Sequence, residues 1–510
     1  MPCKRIYWSL ILFLFLKSPT SAVTLYGLGD AVRRQSDPQV MATYRLLKAG
    51  NTLGAARRFG ELAKAGNVTS QFALGILFEE GTGVERSVRT AEQWYRKAAE
   101  GGLVPAQHNL GLLLLKQEDR RMEGLNWIKE AALSGDSRST LALGQIYSTG
   151  GPDGPNLTEA LKWFQTGAKN GDPAAAYEVG VCYELGRGVE VDHQKAIAHF
   201  ESAAKEDHVL AVMHLARKYQ TGMGIERDFE RALHWFKKGA QLREGGAYYS
   251  LGVASELGVG VAADRAGALS WYRKAAEVGD HQGMYKLGLF YDRGFGVKEE
   301  PAIALDWYRK SAEAGSAIAM HAIAGLYERG RAVEKDDAQA IEWSLKAALK
   351  GLPLAQNELG ARYRQGRGVP KDPVAASGWL KRAAENGLPN AQINLAGMFE
   401  GGHGIAVNYK AASELYIAAA NQGHPVARYK LATMFDEGRG VEKDPVRAYA
   451  HFLDAQKAFT HETPNGDELY AKLKTSTAER LAALKASLRP DQITEANAHL
   501  KSMQVEPETK

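Results

Sequence analysis

The chain has 510 residues, of which 45% are hydrophobic and 24% charged, with a formal net charge of +5 and two cysteines. Those fractions exclude wholesale disorder and a collagen-like fibre, and two cysteines exclude a disulfide framework. The charge excess sits largely in the first 22 residues, which hold Lys4, Arg5 and Lys17 and no acid. Without them 61 basic and 59 acidic residues remain, a net of +2, which gives no argument for a nucleic-acid partner.

At the N-terminus, Lys4 and Arg5 precede Ile6 to Leu16, eleven mostly apolar residues. Thr20-Ser21-Ala22 then places small residues where a signal peptidase reads them. Eleven residues cannot span about 30 Å of hydrocarbon as a helix. Residues 1–22 are therefore predicted to be a signal peptide cleaved after Ala22, leaving a periplasmic or secreted chain with no transmembrane segment. Cys182 then remains as the single cysteine, expected to be a small buried residue on a helix. Residues 23–69 are predicted to form an N-terminal helical cap, a helical pair with Ala56 to Gly66 as its second helix.

Beyond the cap the chain repeats. A small residue follows an aliphatic one at Gly75, Gly111, Gly144, Gly180, Ala216, Gly252, Gly288, Ala324, Gly360, Ala396 and Ala432, spaced by 36, then 33, then 36 throughout. Three residues on, nine of the eleven have an aromatic, such as Tyr291 or Tyr363. Nineteen residues on stands a tryptophan in seven, and Trp127 fills that place in the shortened second repeat; His199, Leu415 and His451 replace it elsewhere. A fixed period of this length marks a stacked-repeat architecture.

Each unit is predicted to be two helices. In the ninth, Ala355, Leu359, Gly360 and Tyr363 share one face at helical spacing. Gly366-Arg367-Gly368-Val369 ends that helix, Asp372-Pro373 caps the next, and Ala376, Trp379, Ala383 and Ala384 line its face. The invariantly small position implies that a neighbouring backbone lies against it. On this view Trp307→Ala costs about 3–5 kcal/mol as a core truncation.

The pattern A-x-x-x-L-G-x-x-Y-x-x-G-x-G-V-x-x-D-x-x-x-A-x-x-W-Y-x-x-A-A-x-x-G, nearly complete from Ala355 to Gly387, resembles the Sel1-like repeat family, a relative of tetratricopeptide repeats. The likeness runs over residues 70–459. It implies an all-α, right-handed superhelical solenoid of about eleven two-helix repeats with helical caps. Residues 460–510 are expected to supply the C-terminal cap, with helices near 467–487 and 491–502 and a disordered tail from Val505 to Lys510.

Catalytic signatures are weak. Gly258-x-Gly260-x-x-Ala263 imitates a dinucleotide loop, but it joins two helices and recurs with the period. Ser202-x-x-Lys205 matches the penicillin-recognising serine motif by letter, yet no S-D-N or K-T-G follows. The thirteen histidines are scattered and expected to be solvated or capping. No enzyme activity, cofactor or metal is expected. The basic pairs on the second helices, such as Arg309-Lys310, are expected to be solvated and to complement the helix dipole.

The candidate binding positions lie two residues before the repeated aliphatic: Phe72, Tyr177, Tyr249, Tyr285, His321 and Tyr429. The position points away from the Leu and Tyr of the motif, and the resemblance to tetratricopeptide scaffolds implies that it faces a groove. Acids recur one residue after the motif aromatic (Glu79, Glu184, Glu256, Asp292, Glu328, Glu400, Asp436). They would either pair with turn arginines such as Arg187, Arg293, Arg329 or Arg439, or help the groove take basic segments or sugar hydroxyls. The expected function is an exported, non-catalytic scaffold for protein partners in a bacterial envelope assembly. The alternatives are a scaffold of exopolysaccharide secretion, with polysaccharide or peptidoglycan as partner, and a peptidoglycan-related or β-lactam-hydrolysing enzyme.

Overall fold

The computed structural model describes residues 20–35, 37–151, 154–461 and 468–504. The predicted signal segment up to residue 19 and the tail Val505–Lys510 lie outside the described residues. Helix Thr20–Gln35 runs through Ala22, the expected cleavage point. Among the described residues there are 27 α-helices and no strand. Most helices of the repeats are 13 residues long, and the hairpin devices are those the sequence announces. Helix Pro353–Gln365 ends at Gly366, whose φ of +73° is the left-handed conformation glycine adopts at least cost. The loop is held by the Asp372 N–H, which donates to the Tyr363 carbonyl at 2.9 Å. The Asp372 carboxylate then accepts from the amides of Val374 and Ala375 and opens helix Pro373–Glu385.

The described residues up to Ala247 and those from Tyr248 onward form two compact units. In the first, helices Thr20–Gln35, Pro38–Lys48 and Thr52–Lys64 precede the repeats, one more than the pair expected. Leu28, Val40 and Phe59 share one core cluster with Phe72, Tyr95 and Leu114 of the repeats. In the second, helices Glu468–Ser487 and Pro490–Gln504 close the stack, and their Leu481, Leu484 and Leu500 join the core of the last repeat beside Phe452. Within each unit the first helix of a repeat packs on its own second helix and on that of the preceding repeat. One cluster in the second unit therefore draws Tyr308, Ile323, Ala348 and Leu359 from three successive repeats. A lone hairpin would leave half of that surface wet.

The cause of the small position differs from the one expected. The group against it is mostly a side chain, contributed by the residue after the tryptophan. A Cβ on Gly252 would lie 2.5 Å from the Tyr272 ring, one on Gly288 2.7 Å from Tyr308, and one on Gly360 2.6 Å from Leu380. In all eleven repeats this following residue is buried, from Tyr95 to Phe452. The tryptophans themselves are only half-buried. Their outer faces carry a cation three residues on: Lys310 Nζ stands 4.1 Å from the Trp307 ring centre, Lys274 and Arg382 of other basic pairs repeat the arrangement, and Lys346, which follows Leu345, does so without a pair. The basic pairs are thus cation–π lids as well as solvated charge.

Candidate functional site

The six candidate positions fare differently. Phe72 is 1% exposed, with its ring 5.8 Å from that of Tyr95, so it belongs to the core and offers no surface. Its neighbours at the start of the stack, the added N-terminal helices, bury it. Tyr177, Tyr249, Tyr285, His321 and Tyr429 are half-buried. Each tyrosine rests its ring on the buried aromatic of its own second helix: Tyr177 on Phe200 at 5.4 Å, Tyr249 on Tyr272 at 6.1 Å, Tyr285 on Tyr308 at 5.7 Å and Tyr429 on Phe452 at 5.7 Å. Burial raises the phenol pKa values of Tyr177, Tyr249 and Tyr285 above the ordinary value, so these rings present neutral hydroxyls.

Two of the four tyrosines have hydroxyls engaged by neighbouring helices. The Tyr177 hydroxyl is 3.4 Å from His214 Nδ1. The Tyr429 hydroxyl is 2.9 Å from Ser476 Oγ on the C-terminal helix Glu468–Ser487. His321 Nδ1 lies 3.4 Å from the Glu358 carboxylate. In the second unit, Tyr249, Tyr285 and His321 therefore remain as three half-exposed rings at equivalent places in successive repeats.

The recurring acids do not sit free beside them, and they do not use the arginines of their own turns. Glu79 accepts from the Tyr95 hydroxyl of its own repeat at 2.7 Å, and the other six reach a cation beyond their own repeat. Glu256 accepts from the Tyr272 hydroxyl at 2.5 Å and from Lys286 Nζ at 2.9 Å. Glu400 repeats this with Tyr416 at 3.0 Å and Lys430 at 3.1 Å, and adds Arg439 of the following turn. Glu184 holds Lys218 at 2.5 Å; Glu328 holds Arg362 and Arg367, both at 2.9 Å. Asp292 meets Arg331, and Asp436 meets Arg480 of the C-terminal helix at 2.7 Å. A carboxylate near a helix C-terminus is disfavoured by the dipole, and here the compensating cation comes from the neighbouring hairpin. These acids tie repeats together and leave no unpaired row of charge to select a basic ligand. Sequence reasoning found the acids and missed the direction of the pairing, although the basic residues 30, 34 and 39 positions on were visible.

The motifs behind the chemical alternatives lie on separate elements of the described residues. Ser202 and Lys205 lie on helix His193–Lys205, and both are exposed. Gly258 and Gly260 take φ of +71° and +69° in a turn between helices. Among the described residues no group of three or more His, Cys, Asp or Glu is placed to hold a metal. Cys182 is buried, and burial pushes its thiol up to about 11. His208 caps its helix as expected, accepting from the Ala211 amide. His108 does not fit the solvated or capping expectation: it is 7% exposed, with Nδ1 2.7 Å from Ser139 Oγ and 3.5 Å from Asp136.

Comparison with known proteins gives a consistent picture. The Sel1 repeat profile matches eleven stretches, beginning with 68–103 and ending with 425–455. The sel1-like repeat-containing protein L21 of Acanthamoeba polyphaga mimivirus is 35% identical over 85 residues, 17% of this chain and 16% of that relative. The matched stretch is thus a small part of the relative's length. The crystal structure of c5321, a protective antigen of uropathogenic Escherichia coli strains displaying an SLR fold, is 29% identical with a TM-score of 0.52, covering 88% of this chain and 94% of that one. A Sel1 repeat protein from Oxalobacter formigenes is 29% identical with a TM-score of 0.51, covering 64% of this chain and 93% of that one.

Proposed function

The chain belongs to the Sel1 repeat family, and from that premise we propose that it is an exported, non-catalytic scaffold that binds a protein partner within a bacterial envelope assembly. The observation that carries the reading is the row Tyr249, Tyr285 and His321. The two tyrosines lie in tilted contact with buried rings, and all three keep part of their surface in water. Rigid aromatic side chains give contact area at low entropic cost, which suits recognition of a polypeptide. Paired acids along the same helices argue against a groove selected for basic ligands. Export is supported by Lys4-Arg5, the apolar run Ile6 to Leu16 and Thr20-Ser21-Ala22.

The test has two arms. Full-length protein expressed in a Gram-negative host is recovered from the periplasm and its N-terminus sequenced; a start at residue 23 is expected, and an intact Met1 in the cytoplasm sinks the export claim. Tyr249→Ser, Tyr285→Ser and His321→Ala are combined and cross-linked in envelope extract beside wild type. Loss of a specific cross-linked band, with Tm lowered by no more than a few degrees, is the expected result. An unchanged band together with a large drop in Tm assigns these residues to packing alone.

A further inference from the structure

We propose that the tenth repeat holds an open slot for the tryptophan side chain of a partner polypeptide. The position 19 residues after the small residue, or its equivalent Trp127, carries a planar ring in ten repeats, eight times tryptophan and twice histidine. Leu415 is the exception. Where the ring is histidine its seat is plain: His199 lies flat on Tyr183, at 5.8 Å and 8°, and His451 on Phe435, at 5.4 Å and 5°. Phe399 and Leu415 occupy the same two positions in the tenth repeat, and both line a cavity of about 440 Å³. That volume lies within the range of about 300–1,000 Å³ usual for ligand pockets. Leu395 and Ala384 line it. Their counterparts one repeat earlier, Leu359 and Ala348, belong to the cluster against which Trp343 and Trp379 pack.

Two further departures converge on the same place. The lining includes Gly378, where every other repeat has a side chain at the residue before the ring position. The cation that covers Trp271, Trp307, Trp343 and Trp379 is replaced by Ala418. A seat shaped for a ring, with neither a ring nor a lid of its own, takes one from outside by burying its apolar face on Phe399 and Leu415. The rim carries Glu385, Glu414 and Lys381, one negative charge in excess, so a tryptophan beside a lysine or arginine complements it best. That the ring comes from a protein rests on the scaffold reading above; the slot itself does not.

The test uses full-length protein and the peptide acetyl-Lys-(5-fluoro)Trp-amide, followed by fluorine NMR. Saturable binding at one equivalent is expected. It should weaken at least tenfold in Leu415→Trp, which installs the ring the other repeats carry. Gly378→Leu is the second variant: an added Cβ there meets nothing within 4 Å, so it blocks the rim without straining the helix. Acetyl-Lys-Leu-amide should not compete, and acetyl-Glu-(5-fluoro)Trp-amide should bind more weakly. Absence of saturable binding to wild type, or binding unchanged in both variants, overturns the slot. The titration needs no partner, so that outcome leaves the scaffold reading standing, whereas a missing cross-linked partner removes the scaffold reading without affecting the titration.

Discussion

At the scale of single residues, the two neighbours Trp307 and Tyr308 divide the labour of the repeat. Tyr308 is 1% exposed and fills the space beside Gly288; Trp307 is half-buried under Lys310. Tyr308→Ala removes a fully buried ring and should cost about 3–5 kcal/mol. Trp307→Ala, expected from sequence to be the costly change, should cost only about 1–2 kcal/mol, because part of its area already faces water. Urea denaturation of both variants checks the order, and a larger loss at Trp307 would refute the division. The sequence advertised the tryptophan because it is rare and recurs in type. The residue after it varies among Tyr, Phe, Ile, Leu and Ser, so its constancy is one of burial, which letters do not display.

At the scale of elements, the hairpins are held to one another by charges as well as by apolar surface. Arg362 has 3% of its side chain exposed and reaches both Glu328 of the preceding repeat and Glu358 of its own helix at 2.9 and 2.7 Å. Arg362→Met removes the buried partner of two carboxylates that are partly in water, leaving Glu328 to Arg367 and Glu358 beside His321, and should cost about 2–3 kcal/mol, somewhat less than a fully buried pair. A double-mutant cycle with Glu328→Gln should return a coupling above about 0.5 kcal/mol; additivity would mean that the tie contributes nothing between repeats. Breaking the exposed Lys472–Glu468 pair should change stability by less than about 0.5 kcal/mol. Helix ends, turns and caps at this scale were legible from glycine, aspartate and proline, because those residues act through their own backbone. The ion pairs were not, since period alone cannot say which of two adjacent hairpins a side chain leans toward.

At the scale of the whole molecule, each of the two units contains a histidine kept neutral by its surroundings. Burial and nearby Arg138 hold His108 down to about 4 against the pull of Asp136; burial, His499, Arg447 and Arg428 hold His451 to about 4 against Asp444. A native pKa below the unfolded value of 6.5 means that the unfolded chain takes up protons first. Stability is therefore full above pH 6.5 and falls progressively toward pH 4. At about 1.4 kcal/mol per pH unit over that interval, each site is worth on the order of 3 kcal/mol. His451→Trp, which restores the ring found in most repeats, should flatten the fall in Tm of the second unit between pH 6.5 and 4. An unaltered slope would show that His451 is not a source of acid sensitivity.

The repeat period, the hairpin and the all-helical class followed from the amino-acid order alone. They depend on interactions within some forty residues, and eleven copies of one pattern average out the exceptions. The placement of the aromatic candidates, the forward reach of the acids and the unfilled seat at Leu415 were decided only when hairpins were laid side by side. Whether a side chain is exposed, paired or missing a neighbour is a property of the residue one repeat away, and no single repeat contains that information.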